Sequence, residues 1–494
     1  MTRSSAQARS NDPEGASVSR WPRAILALAL ILALVRFVRL SHWSLWLDEA
    51  LTWTDGHVGL EGGEIRNPAG YKLIAWAVKV TGGVPDEFAL RILPAIVGFA
   101  CVPLTWFAFK RFAGEKRAAC AALLVAVSAW HVYWSQNARF YTFAQAVTLI
   151  GAGIYLSALT RGKTLRAFVG LVVVAAGAAF HPSVVFLLPA LVVTPFVLSF
   201  LGVQLDPAAR KVAWRCLAGA ALVALVGASW AFEAWNTYRI QKGLAALSDI
   251  GASLSHYVKT TGFFVTPLLF VGALCGAVMA QKRRDRAGLF LLVVVVICLG
   301  CALIAALVVR VSAQYVFFLL PWIALLACTP IPREADPPAE PESQRFSSAA
   351  STAYMALLVI PALVTTVLYL TVRKGERPEW RDAYDLVWNE RREGDLVLGM
   401  HAAVGEYYLS PRTVQLRYPM QIGWLDYFHS FEPRAWAKYP RRAWYVVNPE
   451  EYLDWQPEHA AAFQRFLREE CRLVKVFPLY VESRDLSVWV YLRE

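Results

Sequence analysis

The chain has 494 residues, 57% of them hydrophobic and only 17% charged, where soluble domains average roughly 45–50% and about 25%. Its net charge is +12, yet the basic excess lies wholly before Arg373 and the remainder is close to neutral. That division excludes a soluble nucleic-acid binder and points instead to loops that meet lipid head groups.

Residues 1–20 are polar and read as a cytoplasmic N-terminal tail. The apolar run Ala24 to Val38 that follows has no small-residue cleavage site before Trp43, so it is expected to remain as a first membrane span. With about 20 apolar residues per crossing, about 11 spans are predicted, near 22–40, 88–109, 118–134, 142–159, 166–180, 183–201, 213–232, 262–280, 287–309, 313–330 and 350–372. Lys and Arg gather in alternate loops: Lys110 to Arg117, Arg161 to Arg166, Arg210 to Arg215, Lys282 to Arg286, and Arg333 with Arg345. This bias predicts a cytoplasmic N-terminus and a C-terminus outside.

Two predicted outer segments are long, 41–87 and 233–261. The first holds "SLWLDEALTW" and "AGYKLIAWAVKV", weakly amphipathic stretches rich in Trp and Tyr that are expected to lie as short helices on the outer surface. Beyond 21–372, residues 373–494 form a soluble α/β domain in this reading. Helical patterns at "EWRDAYDLVWNERREG" and "EHAAAFQRFLREEC" alternate with strands at "DLVLGM", "AWYVVN", "LVKVFPLYV" and "LSVWVYLRE". The tail has no glycine-rich phosphate loop, and Cys471 as its sole cysteine rules out an internal disulfide there. Cys298 and Cys301 are read as packing residues. No Cys/His spacing resembles a metal site.

Asp48 and Glu49 are the most informative residues. Both lie among apolar and aromatic neighbours, where desolvation raises a carboxylate pKa and makes it a stronger base if it stays ionised. Capping a surface helix, or pairing with an Arg, is the structural alternative. Arg139, in "WHVYWSQNARFYTF", is a lone cation on the predicted outer side; it suits a phosphate, or snorkels at a helix end. His181, in "FHPSVV", lies at a helix break. Arg310 ends the ninth span, placed to hold a phosphate or a lipid head group. Arg66, Asn67 and Lys72 flank Pro68. All these groups fall on one predicted face, which is what joins them into a candidate site.

A first span followed by "LWLDEA" resembles the opening of protein O-mannosyltransferases, the lipid A aminoarabinose transferase and their bacterial relatives. "RILP", the basic turn after it and "YWSQNARFY" are similar to the next landmarks of that family, and "EWRDAY…GDLVLG" resembles the start of its outer α/β domain. The resemblance implies a glycosyltransferase C fold and a polyprenyl-phosphate sugar donor. It also implies Asp48 as general base, Glu49 positioning the acceptor or holding the loop, and Arg139 with Tyr141 lining the donor site. Where relatives carry His or Lys before the proline of the second surface helix, this chain has Asn67, beside Arg66. Where many have Arg-Tyr in the last donor-side span it has Gln314-Tyr315, with Arg310 one turn earlier as a substitute.

The expected activity is therefore inverting sugar transfer from a polyprenyl-phosphate lipid to a hydroxyl of an extracytoplasmic acceptor, at a bacterial inner membrane. No obligatory metal or cofactor is expected, because a lipid monophosphate has no pyrophosphate needing a divalent clamp. A polyprenyl-phosphate-sugar translocase would share the spans and the outer cations yet need no base. The sugar and the acceptor are not legible.

Overall fold

The computed structural model describes residues 21–58, 68–81, 86–227, 249–333, 341–413, 421–425, 442–453, 457–482 and 484–494, with a few more between 228 and 248. The first helices are α1 (Trp21–Ala33), α2 (Leu47–Val58), α3 (Pro68–Val80), α4 (Glu87–Ala113), α5 (Glu115–Val127), α6 (Ala129–Ser135), α7 (Tyr141–Thr160) and α8 (Thr164–Ala176).

Five described helices are long and apolar enough to cross a bilayer: Glu87–Ala113, Tyr141–Thr160, Pro182–Phe200, Arg286–Ala305 and Ala349–Leu370. Two bent pairs, Glu115–Val127 with Ala129–Ser135 at 64° and Ile250–Val265 with Pro267–Lys282 at 89°, raise the total to seven. Length and apolarity thus support fewer spans than the sequence pattern suggested. The other predicted segments are helical but short or more charged. The segment at 166–180 stops as α8 and a 3-10 turn before His181-Pro182, where the proline disfavours helix in the preceding residue. The one at 313–330 opens as a 3-10 turn, Ala313–Leu319, before Leu320–Ala327.

Local chemistry explains the element ends. Asp86 caps α4 by accepting the Ala89 amide at 2.7 Å, Lys110 and Arg111 occupy its last turn, and Gly114 ends it at φ 95°. The α5–α6 break leaves carbonyls without helical partners. Buried Arg36 supplies them, donating to the Val125 carbonyl at 3.0 Å and the Ala126 carbonyl at 3.1 Å. It also donates to His131 Nδ1 at 2.9 Å, so the ring's other nitrogen carries the proton and donates to Gln145 Oε1 at 2.7 Å.

The C-terminal part carries a five-stranded sheet in the order β2-β1-β3-β7-β4, from β1 (Leu396–Gly399), β2 (Gln421–Trp424), β3 (Ala443–Val447), β4 (Arg472–Phe477) and β7 (Val488–Arg493). β1 runs parallel to β2 and β3, while β7 is antiparallel to β3 and β4. Helices Trp380–Glu390 and Ala402–Thr413 cover one face and Pro457–Glu470 the other, so β3 is buried along its whole length. The run "LVKVFPLYV" is not one strand. It ends at Phe477 because Pro478 has no N–H for the ladder, and a separate hairpin follows, β5 (Tyr480–Val481) with β6 (Arg484–Asp485).

Candidate active site

The loop before α2 is gripped from three directions, and Glu49 is the point where the grips meet. Its side chain is 0% exposed. Arg91, in the first turns of α4, binds it in a fork: Nε donates to Oε1 and Nη2 to Oε2, both at 2.7 Å. The remaining Arg91 donors reach the carbonyls of Leu40, Trp43 and Ser44. Arg377, just after the last membrane helix, donates to Glu49 Oε2 at 3.2 Å and to the Gln136 carbonyl at 2.9 Å. The Ala138 amide completes the set, donating to Oε1 at 2.9 Å. Burial alone would raise the Glu49 carboxyl, but the Arg91 and Arg377 guanidiniums outweigh it and hold it below its ordinary value. A carboxylate enclosed in this way holds the loop.

Asp48, its neighbour in sequence, points elsewhere. Its side chain is 29% exposed and its Oδ2 lies 3.8 Å from Arg139 Nε. Arg139 Nη1 also donates to the Asp48 carbonyl at 3.2 Å and to Thr52 Oγ1 at 3.1 Å, and Tyr71 of α3 hydrogen-bonds the same guanidinium. Burial opposes the Arg139 charge, but Asp48 and the nearby Tyr141 and Tyr71 favour it, leaving the group above its ordinary value. The turn that carries Arg139 is bolted to the segment that follows α1, because the Gln136 amide donates to the carbonyls of Val35, Arg36 and Val38.

Beyond Arg139 an aromatic wall continues the site. Tyr141 opens α7 with its ring 4.2 Å from Trp134 and 5.1 Å from His181, and His181 is 4.9 Å from Tyr315, centroid to centroid. Ser183 Oγ lies 2.7 Å from His181 Nδ1 and itself donates to the Tyr315 carbonyl. The Ser183 backbone amide donates to the same Nδ1 at 3.3 Å, so the ring caps the turn that opens at Pro182. Burial first, then the Arg139 cation, push His181 down to about 3.

The structure thus gathers Asp48, Arg139, Tyr141, His181 and Tyr315, which are remote in sequence. Arg66 and Asn67 lie outside the described residues. Lys72 is exposed on α3, one residue beyond Tyr71. Arg310 is also exposed, and its charge is felt by Glu451 of the C-terminal part.

Sequence reasoning missed three participants. Tyr71 gave no signal beyond an aromatic on a surface helix. Arg91 could have been found, since a cation flanked by apolar residues at a membrane boundary requires an acidic partner, whereas Arg377 lies in the polar stretch "KGERPE" and gave no such signal. Asn137 is also 0% exposed, and neither atom of its amide has a hydrogen-bond partner among the described residues. Among those residues no cluster of His, Cys, Asp or Glu could hold a metal ion.

This arrangement puts a partly exposed carboxylate beside a cation, with tyrosines and a neutral imidazole around them, where α2, α3 and the bundle meet. It suits deprotonating a hydroxyl next to a site for a phosphate.

No model of a known protein family matches the chain, and no curated protein matches it. Solved structures do. ArnT from Cupriavidus metallidurans bound to undecaprenyl phosphate aligns over 96% of this chain and 98% of its own, with 13% identity and a TM-score of 0.53. The Archaeoglobus fulgidus oligosaccharyltransferase in its apo form aligns over 88% and 70%, with 11% identity and a TM-score of 0.53. At such identities the likeness concerns the fold alone: the chain shares the overall fold of these two structures, and its described helices include five, or seven with the bent pairs, long and apolar enough to cross a membrane.

Proposed function

We propose that the protein is an inverting glycosyltransferase that moves a sugar from a polyprenyl-phosphate lipid to a hydroxyl group of an acceptor outside the cytoplasm. The observation that carries this reading is the division of labour between Asp48 and Glu49. One carboxylate is locked into a buried clamp, while the other is partly exposed beside Arg139 at 3.8 Å. A purely structural acidic pair would have both members sequestered. The bound undecaprenyl phosphate of ArnT supports the class of donor.

In the proposed reaction Asp48 takes the proton of the acceptor hydroxyl as its oxygen attacks the anomeric carbon. The bond from that carbon to the lipid phosphate oxygen breaks on the opposite face, which inverts the configuration. The released polyprenyl phosphate gains negative charge, which Arg139 stabilises, with Tyr71 and Tyr141 as neighbouring donors; such preorganised charge is worth several kcal/mol at order of magnitude. As Asp48 takes up that proton its charge is lost, which loosens the pair with Arg139 and leaves the guanidinium to the phosphate.

The test is sugar transfer in membranes carrying wild type or Asp48→Asn, with native polyprenyl-phosphate lipids and matched expression. Unconsumed lipid-linked sugar in the mutant alone supports the base assignment and identifies donor and acceptor together. Equal transfer by both proteins removes the base and leaves a translocase of the same lipid as the reading to pursue.

A further inference from the structure

The end of α4 remote from Asp48 carries a second binding feature that sugar transfer does not use. Arg91 holds Glu49 near the start of this helix, and Lys110 lies near its end, roughly 28 Å further along the axis at about 1.5 Å per residue. That separation is close to the hydrocarbon thickness of a bilayer, about 30 Å. At this far end a groove of about 800 Å³ opens between α4, α7 and α8.

The groove is apolar along its length and basic at one end. Its walls include Leu104, Phe107, Ile150, Ile154 and Val169, and its mouth has Lys110 and Arg111 from the last turn of α4 with Arg166 from the first turns of α8. Small residues make the concavity. A Cβ on Gly153 would come within 2.9 Å of the Ala108 backbone, so α4 and α7 touch there and their larger side chains splay apart on either side. Phe107 is 57% exposed and Ile150 is 44% exposed, so the groove opens outward, toward lipid. The Lys110 ammonium sits 3.8 Å over the Trp106 ring and 4.6 Å over that of Phe107, which fixes it at the rim. Among the described residues none of the three cations forms an ion pair with a carboxylate.

We propose that this groove binds one anionic diacyl phospholipid from the leaflet opposite the candidate active site, its phosphate held by Lys110, Arg111 and Arg166 and its acyl chains along Leu104, Ile150 and Val169. Three unpaired cations at one end of an apolar channel complement a headgroup with one or more negative charges and two hydrocarbon chains. A zwitterionic lipid satisfies the channel but not the rim. A soluble phosphate satisfies the rim but not the channel.

Native mass spectrometry of the full chain titrated with dioleoylphosphatidylglycerol or dioleoylphosphatidylcholine tests this directly. Wild type should retain phosphatidylglycerol preferentially, and inorganic phosphate should not displace it. Arg111→Ala/Arg166→Ala, both exposed positions, should retain it at least roughly tenfold more weakly. Ile150→Trp leaves every charge in place but fills the channel, and it should also lose the preference. Equal retention by the double variant overturns the proposal. So does wild-type retention by Ile150→Trp, which would reduce the effect to general surface attraction, and so does displacement by phosphate, which would make the rim a free-anion site. The readout is lipid mass, so it stands or fails independently of sugar transfer.

Discussion

The Ala138 amide donates to Glu49 Oε1 at 2.9 Å, and the residues next to each in sequence, Asp48 and Arg139, form their ion pair at 3.8 Å. The α2 loop and the turn before α7 are thus joined by two adjacent rungs, one buried and one open to solvent. The buried rung sets the distance of the open one. A site built this way keeps Asp48 and Arg139 in register, because the buried carboxylate that receives the amide is itself held in place by Arg91 and Arg377.

Removing the charge from each carboxylate separates the two roles. Glu49→Gln leaves Arg91 and Arg377 buried at 0% exposure without a counter-ion. Stripping one partner from such a buried group costs about 3–5 kcal/mol. Thermal unfolding in detergent should show a drop of several degrees or more, with poor recovery of folded protein. Asp48→Asn, at a partly exposed position, should unfold within a degree or two of wild type while losing transfer. Equal destabilisation by both substitutions contradicts the division of roles.

Arg377 ties the C-terminal part to the same clamp. Besides Glu49 it reaches the Gln136 carbonyl and the Tyr369 hydroxyl, and the linker turn beside it packs against the loop. There Gly375 holds φ 67°, and a Cβ at that position would lie 2.6 Å from the Trp43 ring. Gly375→Ala meets both a left-handed backbone and a ring embedded in the clamp, a combination worth about 1–3 kcal/mol. A double-mutant cycle of Gly375→Ala with Arg377→Lys should be strongly non-additive in unfolding temperature, since both report on one contact; simple additivity would show the linker and the clamp to be independent.

Much of this architecture was legible because apolar length and charge bias are strong signals. Each of the eleven predicted segments contains a described helix, though only five, or seven with the bent pairs, are long and apolar enough to cross a membrane, and "AWYVVN" and "DLVLGM" hold strands. What the sequence hid was continuity. A proline at 182 and a serine at 128 shorten or bend helices that hydropathy averages over, and Pro478 divides a strand that composition joins. In the site, Asp48 and Arg139 were each readable, as an unusual carboxylate and an unusual cation, but their pairing was not. The Arg377 contact was not, because 328 residues separate it from Glu49 and no local pattern encodes a partner so distant.

In the proposed reaction Arg139 holds the lipid phosphate, and the prediction is specific to its geometry. Arg139→Gln should weaken binding of undecaprenyl phosphate about tenfold or more, as expected for loss of charge-assisted hydrogen bonds of about 1.5–3 kcal/mol. Arg139→Lys should recover only part of this, because a single ammonium cannot serve Thr52 Oγ1, the Asp48 carbonyl and a phosphate from one fork. Binding to detergent-solubilised protein, measured by tryptophan fluorescence, checks both. Lys72→Gln, at an exposed position, serves as the comparison and should change affinity little.

His181 supplies a pH dependence with a definite sign. Burial and the nearby Arg139 cation press it down to about 3 from an ordinary value of 6.5, so it is neutral across the physiological range. Above 6.5 the ring is neutral in both folded and unfolded chains, and its contribution to stability is fully present. As pH falls from 6.5 toward 3 the unfolded chain takes up a proton that the folded one refuses, so stability is progressively lost. His181→Asn removes the titrating ring while keeping a polar side chain beside Ser183. The difference in unfolding temperature between wild type and this variant should therefore be constant above pH 7 and shift against wild type between pH 6 and pH 4. A difference that stays flat over that interval would mean that the folded protein protonates His181 as readily as the unfolded chain, so that below about pH 6 the imidazole becomes a second cation beside Arg139.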